Sequence, residues 1–421
     1  MLHFSDKPYR YFPPKPNRFA MRLFSECNRR WVLPGRRHRI KAVEPSNPEV
    51  VHEALRTRTT RRVLFIINHS THSDPEITVE MHRRLGVRSL FMAAYDVFLR
   101  HPVAAWVMQR GGAFSVDRDV ADKQAMAQAI KTLHDGHYAL TIFPQGNVYL
   151  MNDKIALFLE GAAYFALQAQ AALSDEAPDA EEILAIPVSF KTTHMTDQRK
   201  TLRAMIAQIS ATTGVPVTWD GDLAQELKRI GTQLLARHLR QRGYDLPGAE
   251  GKELPDILEQ GAEIIIQGIE KKMDMKARAR DSLLDRLRRI RRSIHRIRTD
   301  PDKEPDHAVA ASWADEAILA MRVLAYVQVY LAENPTLDRV GERVESVMED
   351  LYSRATPPYG DRCVRIRFGD PIGLTQYVET FKRKARRATT TLTQTWEDAV
   401  QEGIDWLNQH NRYPGGEPFF Q

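Results

Sequence analysis

Residues 63–75 read Val-Leu-Phe-Ile-Ile-Asn-His-Ser-Thr-His-Ser-Asp-Pro, and this stretch decides the fold class. Its apolar run of five residues is typical of a strand that is buried on both faces. The Asp-Pro pair that follows favours the start of a helix. A buried strand that passes into a helix through a short polar loop indicates an α/β protein.

The alternation of strands and helices continues along the chain to about residue 190. Further apolar runs predict strands at 89–93, 113–116, 138–143 and 183–190. Helical patterns between them predict helices at 75–85, 96–108, 120–134 and 160–173. Because such alternation needs crossover connections, we expect a mostly parallel sheet flanked by helices.

The chain changes character after this region. Residues from about 199 to 352 are rich in helix formers and contain almost no strand pattern, which predicts a large all-helical insertion. Val364, Ile366 and Phe368 then alternate with arginines, which predicts an edge or half-exposed strand at 363–368. We expect this strand to rejoin the sheet, followed by a helix at 389–408.

These patterns divide the chain into four predicted parts. They are a basic and aromatic N-terminal arm at 1–45, an α/β core at 46–198, the helical insertion at 199–360, and the last strand with the C-terminal helix at 361–421. Within the insertion, the basic segment 280–298 carries one apolar stripe, made of Leu283, Leu287, Ile290, Ile294 and Ile297. Packing through this stripe and contact with a membrane are both open roles. Nucleic acid is not expected as a partner, because no recognised binding motif accompanies the charge.

Basic residues are concentrated near the start of the chain. The net charge is +6, but the segment from Lys7 to Lys41 holds eleven Lys or Arg against one acid, Glu26, with aromatic residues between them. This mixture is typical of a segment that lies on an anionic membrane surface. The sequence has no run of eighteen apolar residues and no apolar signal core at its start. We therefore expect a cytoplasmic protein that is peripheral to the cytoplasmic membrane.

The two cysteines, Cys27 and Cys363, lie far apart in the sequence. Their spacing matches no metal-binding or redox motif. A reducing compartment is the simplest interpretation, and one long-range disulfide remains an alternative.

His69 and Asp74 lie in the polar loop after the first predicted strand, at the edge where open α/β sheets bind ligands. A carboxylate a few residues from a histidine can hold one imidazole nitrogen while the other acts as a base. Two other interpretations stay open from this loop alone. Asp74 can be an N-cap before Pro75, and His69 with His72 can be part of a metal site.

Four segments of this region resemble the four motifs of the glycerophosphate and lysophosphatidate acyltransferase family. In chain order they are Asn68-His69-x4-Asp74, Gly-Ala-Phe-Ser-Val-Asp-Arg at 112–118, Phe-Pro-Gln-Gly at 143–146 and Ile-Pro-Val at 186–188. Phe158 and the Gly-Ala pair at 161–162 match the usual companions of the third motif. Each segment is short, but all four occur in the family's order over about 61–190.

The resemblance implies the glycerolipid acyltransferase fold and an O-acyltransferase similar to 1-acylglycerol-3-phosphate acyltransferases. Such enzymes move a fatty acyl group from acyl-CoA or acyl carrier protein to a hydroxyl of glycerol phosphate or a lysophospholipid. By this match His69 is the general base and Asp74 orients it. No metal, no acyl-enzyme and no cofactor besides the acyl thioester donor is expected, and the sequence has no Gly-x-Ser-x-Gly nucleophile elbow.

The match also points to residues that bind the acceptor. We expect Arg118 to bind the acceptor phosphate, because a guanidinium fork matches phosphate in shape and charge. The alternative for Arg118 is a surface ion pair with Asp117 or Asp119. Lys154 follows the third motif and either reaches the same phosphate or is a solvated loop lysine.

Gln145 departs from the family pattern, in which the third motif reads Phe-Pro-Glu-Gly. With Gly146 it is expected to line the acceptor site. Gln keeps the shape of Glu but loses its charge and replaces one acceptor oxygen with a donor amide. The departure raises two alternatives, namely an altered acceptor and a catalytically silent, membrane-associated member of the same fold. Thioester hydrolysis is a minor further alternative.

Overall fold

The structure is a computed structural model that describes residues 9–118, 122–217, 219, 223–248, 252, 254–276, 281–300, 302, 307–325, 334–352 and 354–420. Of the residues used in the predictions, Lys7, Asp119, Val120 and Arg280 lie outside this set. Both cysteines are free thiols.

The strands are β1 Ile40–Pro45, β2 Val63–Ile67, β3 Ser89–Ala94, β4 Ala113–Val116, β5 Ala139–Ile142, β6 Leu184–His194, β7 Arg362–Phe368 and β8 Ile372–Gly373. The helices of the first half are α1 Arg18–Cys27, α2 Glu49–Arg56, α3 Asp74–Leu85, α4 Tyr95–Leu99, α5 Pro102–Arg110, α6 Lys123–Asp135 and α7 Gly161–Glu176. Those of the second half are α8 Arg199–Thr213, α9 Leu223–Arg240, α10 Leu254–Lys272, α11 Leu283–Thr299, α12 His307–Ala325, α13 Leu337–Tyr352, α14 Thr375–Arg383 and α15 Ala385–Gln409. A π-helical turn, Asn28–Val32, follows α1, and a 3-10 turn, Pro414–Gly416, follows α15.

The strands form one mixed sheet in the order β1-β7-β6-β2-β5-β3-β4, with β8 paired to β6. All neighbours are parallel except β6 with β7 and β6 with β8. The predicted fold class, a mostly parallel sheet flanked by helices, is confirmed.

Strand β2 lies inside the sheet and is buried on both faces, as its continuous apolar run predicts. Leu64 and Ile66 pack into the cluster formed with α6, α7 and α15. Phe65 and Ile67 belong to the cluster on the other face, which includes apolar residues of α2 and α3. The two helical layers therefore fix the position of the loop that leaves β2.

Strand β7 is not the edge or half-exposed strand that the alternation with arginines predicts. It lies between β1 and β6, and Val364 and Ile366 are fully buried. The arginines are accommodated by α15: Arg365 donates to the carbonyl of Leu407 at 2.5 Å, and the Arg367 guanidinium lies 4.1 Å from the centre of the Trp406 ring. A buried arginine that satisfies the last carbonyls of a helix is compatible with an interior strand.

Two further predicted elements differ from the structure. The helix predicted at 96–108 is two helices, α4 and α5, because Pro102 begins α5 and disfavours helical geometry in the residue before it. The His101 side chain caps α5 by accepting from the Val103 N–H. Strand β6 continues past residue 190 to His194.

The helical region 199–352 contains two apolar clusters of its own. The predicted stripe on α11 packs into the larger one, where Leu287, Ile290 and Ile294 are buried against α10 and α12. The smaller cluster joins α8 and α13 with Phe419 near the end of the chain. Among the described residues, no helix combines the length and the apolar character needed to cross a bilayer.

The N-terminal arm is only partly exposed. Phe12 pairs with Ser115 through backbone and side-chain hydrogen bonds, so the arm covers the free edge of β4. The Phe12 ring also stacks on Phe98 at 5.0 Å between centroids. In contrast, Phe19 and Trp31 are 76% and 67% exposed.

Candidate active site

The predicted site residues follow neighbouring parallel strands. His69 and Asp74 come after β2, the pair at 145–146 comes after β5, and Arg118 comes after β4. Since β2, β5, β3 and β4 are consecutive and parallel, their carboxyl ends lie at one edge of the sheet. Ligands of open α/β sheets bind at this edge.

The His69 and Asp74 side chains form a hydrogen-bonded pair. The distance from Nδ1 of His69 to Oδ2 of Asp74 is 2.9 Å, and the side chains are 16% and 0% exposed. Asp74 is the first residue of α3 and the N-cap position belongs to Ser73, so the N-cap interpretation of Asp74 does not describe this geometry. Its carboxylate instead points back into the loop.

Thr71 fixes the hydrogen-bonding role of that carboxylate. The Thr71 N–H donates to Oδ2 of Asp74 at 2.9 Å, and the Thr71 hydroxyl donates to Oδ1 at 2.7 Å. A carboxylate that only accepts requires a proton on Nδ1 of His69, which leaves the lone pair on Nε2. The dipole of α3 also favours a negative charge at its N-terminus.

Gln145 holds the backbone of the same histidine. Its side chain is 3% exposed, and its Oε1 accepts a hydrogen bond from the N–H of His69. The ring of Phe143 stacks on the imidazole with 4.4 Å between centroids. Of the two polar groups of a Gln side chain only the oxygen can accept from this N–H, and it serves as well as one oxygen of a Glu would.

We expect Gln145→Ala to lower kcat about 10–100-fold. The buried N–H of His69 loses its hydrogen-bond acceptor, and the imidazole is then no longer held in position. Gln145→Glu keeps the acceptor and should stay within a few-fold of wild type. The matched control is Gln170→Ala, since Gln170 is also 3% exposed and its Oε1 accepts from the Ile183 N–H at 2.7 Å, far from the loop. Steady-state rates and melting temperatures of the three variants test this. Equal rate losses in both alanine variants would contradict a positioning role.

Three polar side chains extend the hydrogen bonding of β6 beyond the end of β2. Asn68 accepts from the N–H of Phe190 at 2.7 Å and donates to its carbonyl at 3.0 Å. Asn152 bonds both backbone groups of Thr192 in the same way. Asp338 accepts from the N–H of His194 at 3.0 Å. Asn68 thereby ties the loop that carries His69 to the sheet at its first residue. Asn152 and Asp338 hold the end of β6 instead, and they come from distant parts of the chain that match no motif.

Arg118 reaches across the edge of the sheet to the third motif. Its Nη1 donates to the carbonyl of Gly146 at 3.0 Å and to Oδ1 of Asn147 at 2.8 Å. Its Nη2 lies 3.6 Å from Oδ1 of Asp96. Within the described residues Arg118 therefore pairs with Asp96 of α4, and Asp117 pairs with His295. The alternative partner Asp119 lies outside those residues.

Gly146 occupies a position that favours glycine. Its φ of +73° lies in the left-handed region, and a Cβ at this position would lie 2.9 Å from Cδ1 of Leu159. In this turn the Gly146 carbonyl accepts from the guanidinium of Arg118, and the Gly146 N–H donates to the carbonyl of Phe143 at 3.0 Å. The second and third motifs therefore meet at one point of the site.

The comparison with protein families agrees with this arrangement. Residues 46–191 match the family model described as Acyltransferase, and this range contains the paired His69 and Asp74, Arg118 and Gln145. Residues 46–191 form an acyltransferase-family domain. No curated protein matches the chain.

The acyltransferase domain is contacted at its motif loops by the helical region. Nε2 of His72 lies 3.0 Å from Oε1 of Glu349 on α13. His69 and His72 thus bind different carboxylates. Among the described residues, no three His, Cys, Asp or Glu side chains are grouped so that they could hold a metal ion.

Lys154 is half-buried in the loop that follows the third motif of the acyltransferase domain. Its neighbour Asp153 is 5% exposed and binds both Lys191 of β6 and Arg339 of α13. Burial disfavours the charged form of Lys191, but the nearby carboxylates of Asp153 and Asp338 outweigh this and raise the pKa of the ammonium. This buried ionic group fixes the position of the loop beside the site.

Proposed function

We propose that the chain is an O-acyltransferase that moves a fatty acyl group from acyl-CoA or acyl carrier protein to a hydroxyl of glycerol phosphate or a lysophospholipid. The observation that carries the proposal is the 2.9 Å pair between His69 and Asp74 at the ligand-binding edge of an acyltransferase-family domain. The family supports acyl transfer in general. The choice of donor and acceptor is our proposal.

The pair supports general-base catalysis by His69. With Nδ1 protonated towards Asp74, Nε2 can take the proton of the acceptor hydroxyl as its oxygen attacks the thioester carbonyl. The tetrahedral intermediate then collapses, the carbon–sulfur bond breaks, and the thiolate leaves with the proton from the imidazolium. General-base assistance of this kind contributes about 10²–10⁴-fold, and the Asp74 charge stabilises the imidazolium that forms.

Direct transfer, without an acyl-enzyme, is part of the proposal. Burial raises the pKa of the Cys363 thiol to about 12, so this side chain is a poor nucleophile at neutral pH. The hydroxyl of Ser70, next to His69, is buried, with its residue 2% exposed. The acceptor hydroxyl therefore takes the place that a serine holds in hydrolases.

Arg118 is proposed to bind the acceptor phosphate. Its guanidinium is oriented by Gly146 and Asn147, its side chain is 26% exposed, and Gly146 follows the residue that holds the His69 N–H. The bond between Gln145 and His69 supports a positioning role for Gln145, so the departure from Glu gives no independent reason to assign a different acceptor.

A panel assay with radiolabelled acyl-CoA and acyl carrier protein tests the function. We expect ester formation with glycerol phosphate or a phosphate-bearing lysolipid. Arg118→Ala should raise KM for these acceptors about tenfold or more, since a charge-assisted hydrogen bond is lost, while KM for the donor changes less. No ester with any acceptor would contradict the proposal, and an equal effect on acceptors without phosphate would contradict the role of Arg118.

Peripheral binding to an anionic membrane is also proposed, from the surface around α1. Phe19, Leu23 and Trp31 are exposed there, together with Arg18 and Arg22. Exposed rings and cations on one segment favour the headgroup region of a bilayer. Co-sedimentation with vesicles containing anionic lipid tests this, and equal binding of wild type and Trp31→Ser would contradict it.

A further inference from the structure

Five of the seven arginines of helix α11 fall into two sets. Arg286 and Arg289 are bound within the helical region: Arg286 contacts Glu263 at 2.8 Å and Glu270 at 2.6 Å, and Arg289 contacts Glu270 at 3.1 Å. A second row lies on a different face of the helix, at positions that step by three, four and three: Arg288, Arg291, His295 and Arg298. This row spans about 15 Å at the rise of an α-helix.

The second row lies against the loop of the second motif. Nδ1 of His295 is 2.9 Å from Oδ2 of Asp117, and these side chains are 16% and 0% exposed. Asp117 immediately precedes Arg118, whose guanidinium bonds Gly146 and Asn147. Helix α11 is therefore held at the place where the acceptor phosphate is proposed to bind.

Arg291 and Arg298 lie about one helical turn before and after His295 on the same face of α11, so they flank its contact with Asp117. Burial and the charge of Arg118 lower the pKa of Arg291 to about 9, and Asp117 offsets this only in part. Like charges brought together near a buried surface repel each other, and a bound anion relieves the repulsion.

We propose that α11 extends the anion site of Arg118, so that the chain binds a ligand with at least two phosphoryl groups. This inference rests on the proposed acceptor role of Arg118 and adds a second phosphate to it. The second phosphate comes either from an acceptor lipid with two phosphates or from the nucleotide of the acyl-CoA donor. In both cases Arg291 and Arg298 bind it with guanidinium groups, which suit phosphate oxygens.

The first experiment measures binding without turnover. Calorimetric titration should show that inorganic pyrophosphate binds the wild-type chain more tightly than orthophosphate does. Arg291→Gln should weaken pyrophosphate binding about tenfold or more, by loss of a charge-assisted contact. The matched control is Arg292→Gln, which removes the same charge from an exposed position of the same helix and should change binding less than twofold. Equal binding in wild type and Arg291→Gln would overturn the proposal.

A melting temperature separates a binding role from a structural one. Removing Arg291 relieves repulsion from Arg118 but gives up its contact with Sδ of Met321, so Arg291→Gln should melt at about the same temperature as wild type when no anion is present. A functional residue that is not optimised for stability behaves in this way. A clear fall in melting temperature that accompanies the weaker binding would mean that Arg291 supports the fold, and would overturn the proposal.

The second experiment identifies the source of the phosphate. Kinetics of wild type and Arg291→Gln are compared with two acceptors, lysophosphatidate and monolysocardiolipin, and two donors, acyl-CoA and acyl-pantetheine without the nucleotide. If Arg291→Gln raises KM for monolysocardiolipin with both donors, the proposal is supported and the second phosphate comes from the acceptor. A raised KM for acyl-CoA alone supports it with the donor as source. No KM change in any combination overturns it. If no acyl transfer occurs at all but pyrophosphate binding depends on Arg291, the proposed function fails while the anion site stands.

Discussion

Replacing His69 with alanine is expected to lower kcat about 10²–10⁴-fold. The side chain is the only group proposed to remove the proton of the acceptor hydroxyl, and it is 16% exposed beside a loop that can receive substrate. KM for the donor should change little, because the thioester is not held by the imidazole. Initial rates at saturating donor and acceptor measure the effect.

The control for this variant is His72→Ala. His72 lies in the same loop, but its imidazole binds Glu349 of α13 instead of Asp74. A loss of rate that is as large for His72→Ala as for His69→Ala would mean that the loop as a whole, and not one imidazole, is required. A His69→Ala rate within tenfold of wild type would exclude general-base catalysis by this residue.

Replacing Asp74 with asparagine should also lower kcat, by about 10²–10⁴-fold. An asparagine can still accept from Nδ1 of His69 and from the Thr71 N–H, and the Thr71 hydroxyl can turn to accept from the new amide. The ring then keeps its position, and the main loss is the negative charge that stabilises the imidazolium during proton transfer. Steady-state kinetics report the rate, and a structure of the variant reports the ring.

A second buried pair provides the control for Asp74→Asn. Asp338 is 2% exposed, binds Nδ1 of His194 at 2.8 Å and accepts from the Thr193 hydroxyl at 2.6 Å. Asp338→Asn removes one negative charge from a similar network that does not include His69, so it should lower stability more than kcat. If Asp338→Asn reduces kcat as much as Asp74→Asn does, the effect of Asp74 is one of folding.

The strands that could be predicted from the sequence are those with a continuous apolar run, because such a run is typical of a strand buried on both faces. Strands β2 and β4 have the bounds that the sequence predicts. Strand β1 was missed because its residues include Lys41, Glu44 and Pro45, which do not form an apolar run. Its pairing partner β7 is distant in sequence, and with β1 on its far side β7 becomes an interior strand. Long-range pairing of this kind leaves no local pattern.

The site was predictable only for residues that a motif carries. The loop from His69 to Asp74 is short, so its spacing already permits the hydrogen bond that the structure contains. The partners of the motif residues were not foreseen: Asp96 for Arg118, the backbone of His69 for Gln145, and Glu349 for His72. They come from other loops and from the helical region, and their position depends on tertiary packing.

Helix α13 contacts the α/β core through charged side chains, and these contacts limit where the chain can be truncated. Its Arg339 binds Asp153, its Asp338 holds the end of β6, and its Glu342 accepts from the Asn152 N–H at 3.2 Å. A shortened chain that lacked this helix would leave His194 without Asp338, and would leave the buried Asp153 with Lys191 but without Arg339. We therefore expect the sheet and this helix to unfold together, and the α/β half to be unstable as a separate fragment.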